Sequence, residues 1–135
     1  MTAKNIILDT NAVLRFITSD NIEKCLKVSE ILDKHDCIVP IEVIAETVYN
    51  LDKFYKHPRQ LIANEIKDFI SIKENLVIDA NFIRYGCNIF ASTNLDFVDC
   101  LLISYANVNS NLVFSFDDLL NKKLGHNAFN KNLYI

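Results

Sequence analysis

Four acidic residues are the side chains of this sequence best suited to chemistry. Asp9 follows the first short apolar run of the chain, and Asp117 follows the last such run. Glu46 and Asp99 lie within longer segments whose apolar periodicity predicts helices. Because the carboxyl ends of parallel strands meet at one edge of a sheet, where ligand sites form, we expect at least Asp9 and Asp117 to lie close together.

Carboxylates gathered within a few ångströms repel one another and raise each other's pKa unless a divalent cation lies among them. Mg²⁺ suits such a group, because it prefers oxygen ligands and is usually held by one or two carboxylates together with water and phosphate oxygens. Asp99 supports this hypothesis most strongly. It shares its helical face with Leu102, Ile103 and Ala106, in a helix whose apolar residues on all sides predict complete burial.

Each acid also has a structural interpretation. Asp9 and Asp117 could cap the helices that follow them, as Asp often does. The segment Thr93–Asp96 resembles a capping box with Asp96 at the third helical position, which predicts a structural or supporting role for Asp96. Glu46 could belong to an ordinary solvated helix face.

The elements that must position these acids can be predicted from periodicity. Short apolar runs at 6–8, 37–39, 76–78 and 112–114 predict buried strands. Longer periodic segments predict helices at 11–18, 21–34, 41–56, 58–73, 80–91 and 96–108. Strands that alternate with helices indicate an α/β fold with a parallel sheet covered on both faces.

Size and composition are typical of one globular domain spanning residues 1–135. The chain is 50% hydrophobic and 23% charged. Its apolar runs are shorter than the roughly 20 residues that cross a bilayer, which predicts a soluble, cytoplasmic protein.

The cysteines and histidines do not predict a zinc site. Cys25, Cys37, Cys87 and Cys100 are too widely spaced for a Cys-x-x-Cys knuckle, and we interpret them as reduced residues of which three lie in apolar segments. The three histidines have no ligand spacing. The formal net charge of −3 also excludes a general basic field that would attract nucleic acid.

Four motifs, in chain order, resemble those of PIN-domain nucleases. They are Leu8–Asn11 with Asp9, Pro40–Leu51 with Glu46, Asp96–Ile103 with Asp99, and Val113–Asp117. The resemblance covers essentially the whole chain. Its length and its Asp-Phe-Val-Asp segment look most like the VapC-type toxins of toxin–antitoxin pairs.

This resemblance implies a three-layer α/β/α fold, a Mg²⁺ or Mn²⁺ site at the carboxyl edge of a central parallel sheet, and endonucleolytic hydrolysis of RNA. It implies metal-binding and catalytic roles for Asp9, Glu46, Asp99 and Asp117, and supporting polar roles for Asn11 and Ser115. Asp118 stands where many members have lysine, so it remains an alternative fourth acid. The family comparison also implies a homodimer and a complex with a small antitoxin protein that covers the active site.

Attraction for RNA then has to come from the metal and from local patches. In the segment Lys53–Arg59, the cations Lys53, Lys56 and Arg59 alternate with rings that can stack on unpaired bases. The alternative is a solvated turn whose Phe54 and Tyr55 pack inward. A weaker candidate comprises Lys122, Lys123, His126 and Lys131, and Arg15 could reach the rim of the site unless it forms a surface ion pair.

Three other functions remain open at this stage. The chain could be a non-catalytic PIN-like module that binds RNA or protein, or a housekeeping RNA-processing nuclease. The third is a phosphotransferase of the aspartyl-phosphate type. Such an enzyme needs a second aspartate two residues after the first, and Asn11 occupies that position, which counts against this function.

Overall fold

The computed structural model describes residues 4–129, and these are mostly helical. The strands are β1 (Ile6–Ile7) and β2 (Cys37–Ile38). The helices are α1 (Thr10–Thr18), α2 (Ile22–Lys34), α3 (Ile41–Lys53), α4 (Arg59–Ile70), α5 (Ala80–Ser92), α6 (Phe97–Asn109) and α7 (Asp118–Leu124), followed by a 3₁₀ turn (Gly125–Asn127). None of the helices in this described part has the length and apolarity needed to cross a membrane.

The chain divides into two compact units, Met1–Ala80 and Asn81–Ile135, called here the first and second units. All six predicted helices are confirmed, with ends that differ from the prediction by at most three residues. The largest differences are at the ends of α3 and α4. After α3, Lys56 adopts a positive φ of 59°, and Pro58 then precedes α4, so the backbone cannot continue as a helix.

The sheet of the first unit contains two parallel strands. Ile6 pairs with Cys37 and Ile7 pairs with Ile38, and the Leu8 amide extends the ladder by donating to the Ile38 carbonyl over 3.1 Å. Two parallel strands need a crossover connection, which α1 and α2 provide. This arrangement places Asp9 immediately beyond the carboxyl end of β1.

The predicted strand at 76–78 is wrong. Asn75 and Asp79, which flank it, have positive φ angles of 63° and 57°, so the backbone bends at both ends of the run. Leu76 and Val77 are nevertheless buried, and the Leu76 carbonyl accepts a hydrogen bond from the Val39 amide over 2.8 Å. The apolar run is therefore a core-lining turn beside β2.

The predicted strand at 112–114 is also wrong, because its backbone forms only an isolated parallel bridge between Val113 and Ala128. The Val113 amide donates to the Asn127 carbonyl over 2.9 Å, and the Phe129 amide donates to the Val113 carbonyl over 2.8 Å. Leu112 and Phe114 are exposed on either side of Val113. An apolar run therefore does not mark a buried strand here.

Each unit has buried side chains that hold the helices carrying the acids. In the first unit, Ile44, Val48 and Leu51 form the buried stripe that was predicted for α3. The core cluster of the second unit joins α6, through Ile103 and Ala106, to Leu120 and Leu124 of α7.

Helix α6 is not buried on all sides, which corrects the prediction. Val98, Tyr105 and Val108 are exposed, since apolar residues on a helix surface do not require a partner.

The cysteine prediction is confirmed in part. All four residues are thiols, and Cys37, Cys87 and Cys100 are buried while Cys25 is half-buried.

Candidate functional site

Asp9 is exposed and forms the N-cap of α1, which confirms its structural interpretation. Its Oδ1 atom accepts a hydrogen bond from the Ala12 amide over 2.9 Å. The cap uses this one oxygen, and the structure gives Oδ2 no hydrogen-bond donor within residues 4–129. A second ligand bound through Oδ2 is therefore compatible with the cap. The nearby Asn11 side chain is exposed.

Glu46 is exposed on α3 and is bonded to the start of α1. Its Oε2 atom accepts a hydrogen bond of 3.1 Å from the hydroxyl of Thr10, the residue that follows Asp9. The structure thus brings two of the predicted acidic positions of the first unit together through Thr10. Sequence analysis missed this role of Thr10, for which its place next to Asp9 was the only signal.

Asp96 is the N-cap residue of α6. The predicted capping box, which placed Asp96 at the third position inside the helix, is therefore wrong. The Asp96 carboxylate makes no side-chain capping bond. Instead, the Thr93 hydroxyl accepts a hydrogen bond from the Leu95 amide over 3.4 Å, one residue before the cap. The Asp96 carboxylate therefore remains exposed beside the first turn of α6.

Asp99 is half-buried in that first turn, and its surroundings raise the pKa of its carboxyl group. Burial is the largest cause, followed by the negative charges of Asp96 and Asp117. The second unit therefore holds two acids, Asp96 and Asp117, close enough to Asp99 for their charges to raise its pKa. We call Asp96, Asp99 and Asp117 the second-unit acids.

Asp117 is the N-cap of α7, and its Oδ1 atom accepts a hydrogen bond from the Leu120 amide over 3.0 Å. Ser115 holds the backbone before this helix, since its hydroxyl accepts from the Asp117 amide over 2.9 Å. The Asn121 side chain in turn donates to the Ser115 carbonyl over 2.9 Å. Ser115 therefore positions Asp117, the kind of role expected for a supporting polar residue. Asp118 lies in the first turn of α7 and is exposed.

Arg15 forms the surface ion pair that was the alternative to an RNA contact. Its Nη1 atom lies 2.7 Å from Oδ2 of Asp20, and the Tyr55 hydroxyl donates to the same oxygen over 2.9 Å. Hydrogen bonds from Arg15 and Tyr55 lower the pKa of the Asp20 carboxyl group. Arg15 is therefore engaged with Asp20.

The segment Lys53–Arg59 differs from the alternative in which both of its rings pack inward. Phe54 is 71% exposed and contacts Tyr49 edge to face, so it does not pack inward. Lys53 lies 3.6 Å from the carboxylate of its neighbour Asp52. Lys56 is exposed. The segment thus presents a ring and cations at its surface.

Comparison with known families identifies the chain. The model of the PIN domain matches residues 6–123, which includes every acid described above. The chain belongs to the PIN domain family. PIN domains are generally nucleases that use divalent metal ions, so the family supports a hydrolase acting on nucleic acid. Neither a curated protein nor a solved structure matches the chain.

The carboxylates fit a divalent cation by their chemistry. Within residues 4–129, the structure has no group of three or more His, Cys, Asp and Glu side chains arranged to hold a metal. Mg²⁺ does not require such a cage, because one or two carboxylates, water and substrate phosphates usually complete its coordination. Burial, and after it the negative charges of Asp96 and Asp117, raises the pKa of Asp99, and a bound cation would favour the ionised carboxylate against both effects.

Asp99→Asn is expected to stabilise the metal-free protein at pH 7. The carboxyl group of Asp99 has a higher pKa in the folded than in the unfolded protein. Such a group lowers the free energy of unfolding as the pH rises through its unfolded and then its folded pKa. The asparagine variant lacks this loss, so the two proteins should differ most at neutral pH and least near pH 3. Urea unfolding from pH 3 to 8 in EDTA measures the difference. A constant difference over this range would contradict the prediction.

Proposed function

We propose that this chain is a Mg²⁺-dependent endoribonuclease and the toxin of a type II toxin–antitoxin pair, similar to VapC. The observation that supports the activity most directly is a half-buried carboxyl group, Asp99, whose pKa is raised by burial and by the charges of Asp96 and Asp117, in a chain of the PIN family. Charge repulsion among these acids is costly unless a cation compensates it. The proposal includes the three-layer α/β/α arrangement that the family resemblance implies, and a cytoplasmic location.

The proposed metal-binding and catalytic residues are Asp9, Glu46, Asp99 and Asp117. When bound, Mg²⁺, or Mn²⁺ in its place, would lower the pKa of an attacking water and offset charge on the phosphate oxygens. Asp9 offers the oxygen that its cap leaves available. Asp99 offers a half-buried carboxylate, and Ser115 holds the segment that carries Asp117.

Glu46 is proposed either to hold the metal or to orient the attacking water as a general base. The Thr10 hydroxyl donates to Oε2 of Glu46 and so fixes the orientation of the carboxylate. The other oxygen, Oε1, is then the one that would accept a proton. In this scheme Thr10 is a positioning residue, and Asn11 and Asp96 are supporting polar residues.

Titration of Mg²⁺ against cleavage of single-stranded RNA tests the activity. We expect the wild type to cleave with Mg²⁺, to lose cleavage in EDTA, and to regain it when Mg²⁺ is restored. Asp99→Asn should be inactive at every Mg²⁺ concentration. Binding of RNA without cleavage by either protein would indicate a non-catalytic PIN-like module instead.

Exposed apolar side chains of the first unit support the partners proposed here, a second copy of the chain and a small antitoxin protein. Ile22 and Leu26 on α2 are exposed, as are Tyr49 on α3 and the adjoining Phe54. Exposed apolar groups that adjoin one another, as the rings of Tyr49 and Phe54 do, are typical of surfaces that a protein partner covers. Sedimentation of the purified chain tests the dimer.

Induced expression in a bacterial host tests the toxin role. Growth should stop with the wild type and continue with Asp99→Asn. Normal growth with a wild-type protein that cleaves RNA in vitro would favour a housekeeping nuclease.

RNA contacts are proposed at Lys53, Lys56 and Arg59. Arg15, which the sequence also suggested, is held by Asp20.

A further inference from the structure

The second unit contains a cavity of about 510 Å³, lined by residues 92–95 and by Leu119, Lys122 and Lys123 of α7. Its volume lies within the range of about 300–1,000 Å³ that is usual for small-ligand sites. The lining combines two cations, polar side chains and two leucines. A ligand that carries both an anionic group and an apolar or ring-shaped part matches this composition.

The cations of this cavity are available for a ligand. Lys122 and Lys123 are exposed, and neither forms an ion pair in the part of the chain that the structure describes. Arg15 and Lys73 differ from them, since Arg15 is paired with Asp20 and the Lys73 ammonium donates to the carbonyls of Leu32 and His35. Two adjacent unpaired lysines beside a cavity favour binding of phosphate.

The polar side chains of the cavity differ in their availability. The hydroxyl groups of Ser92 and Thr93 donate to backbone carbonyls of their own helix. The Asn94 amide makes no hydrogen bond within residues 4–129 and is exposed. It can therefore donate to a phosphate oxygen or bond to a base edge.

Both walls of the cavity are close in sequence to the second-unit acids. Asn94 precedes Asp96 by two residues, and α7 follows its N-cap Asp117 and carries the lysines in its last turn. At a rise of 1.5 Å per residue, Lys122 lies about 8 Å along the helix from Asp117. The lysines therefore lie more than one helical turn beyond Asp117, a position that suits a phosphate next to one bound through a metal at the second-unit acids.

We infer that this cavity binds a nucleotide of the RNA substrate next to the scissile bond, with Lys122 and Lys123 on its phosphate and Asn94 bonded to the same nucleotide. Leu95 and Leu119 provide apolar surface for the sugar or the base. This inference rests on the proposed ribonuclease function and adds a substrate-binding site to it. Its ligand class is a single-stranded RNA segment rather than a duplex, because a nucleotide inside a helix could not enter a cavity.

Binding of a fluorescent single-stranded RNA oligonucleotide in EDTA, where Mg²⁺-dependent cleavage cannot proceed, tests the inference without catalysis. For K122M/K123M we expect the slope of log affinity against log salt to become shallower by about 0.7, because the two lysines share one phosphate and each lost phosphate contact removes about 0.7. The corresponding loss of affinity at 0.1 M salt is roughly 5-fold. K24M/K27M, which removes two exposed lysines of α2, is the matched control and should bind like the wild type.

The Asn94→Ala variant separates the cavity from simple surface charge. It should weaken RNA binding and leave the salt slope unchanged, since a neutral amide releases no counterion. Equal losses for the two double-lysine variants, or no loss for Asn94→Ala, would overturn the inference. Circular dichroism shows whether each variant remains folded, and Asn94→Ala provides an independent result if K122M/K123M unfolds.

Failure of the proposed nuclease function and failure of the cavity assignment would give different results. The wild type could bind the oligonucleotide with the predicted dependence on the lysines and the asparagine but never cleave RNA with Mg²⁺. The cavity would then be an RNA-binding site, and the nuclease assignment would be wrong. If the wild type cleaves RNA and K122M/K123M binds like the control, the nuclease holds and the cavity is not its nucleotide site.

Discussion

Asp9→Asn is expected to reduce RNA cleavage at least ~100-fold while the protein remains folded. Residues that support metal ligands from outside the coordination shell typically cost 10–100-fold when changed, so loss of a direct ligand should cost at least the upper value. Asparagine keeps the oxygen that accepts from the Ala12 amide, and it is as good an N-cap as aspartate. Initial rates on single-stranded RNA at saturating Mg²⁺ measure the effect.

The matched control is Asp33→Asn on α2, which removes one negative charge from an exposed position away from the proposed ligands. It should cleave RNA like the wild type. Asp9→Ala adds a second comparison, because it also removes the cap and should cost about 0.5–2 kcal/mol of stability. Wild-type activity in Asp9→Asn, together with loss of stability in Asp9→Ala, would mean that Asp9 is a cap and nothing more.

Mg²⁺ is expected to stabilise the wild-type protein substantially against heat. A ligand that binds the folded state alone contributes about 2.7 kcal/mol when its concentration is 100 times its Kd. For a chain of this size, that gain raises the melting temperature by on the order of 10 °C. The reason is that a bound cation compensates the cost of ionising Asp99, whose pKa is raised by burial and by the charges of Asp96 and Asp117.

Thermal melts with Mg²⁺, with EDTA and with KCl of equal ionic strength measure this coupling. Asp99→Asn should melt higher than the wild type in EDTA and gain much less from Mg²⁺. A wild-type protein that cleaves RNA at a Mg²⁺ concentration that leaves its melting temperature unchanged would refute the proposed link between charge repulsion and metal binding.

The helices of this chain could be predicted from sequence because their apolar residues repeat with the helical period over ten residues or more. The strands could not be predicted equally well, because a run of three apolar residues has no period to test. Leu76–Ile78 and Leu112–Phe114 look alike in sequence. The first run is bent by residues with positive φ on either side of it, and the second is bonded to a segment beyond α7. Neither fact can be read from the apolar residues of the run.

The candidate site was predictable only in its residue types. The predicted caps at Asp9 and Asp117 are present, because capping depends on neighbours three residues away. The bond between Thr10 and Glu46 joins residues 36 positions apart, so no local pattern reveals it. Asp96 lies at the N-cap rather than inside the helix, a difference that leaves its carboxylate without a capping partner.

Gly86 of α5 limits how this chain can vary. A β-carbon at this position would lie 3.1 Å from the Leu101 Cδ2 atom of α6, the helix whose first turn carries the half-buried Asp99. An alanine here requires the Leu101 side chain to shift, and a larger side chain requires a larger displacement. Mutagenesis libraries that aim to alter the substrate range should therefore leave position 86 untouched, even though it lies in a helix where alanine would ordinarily be the better choice.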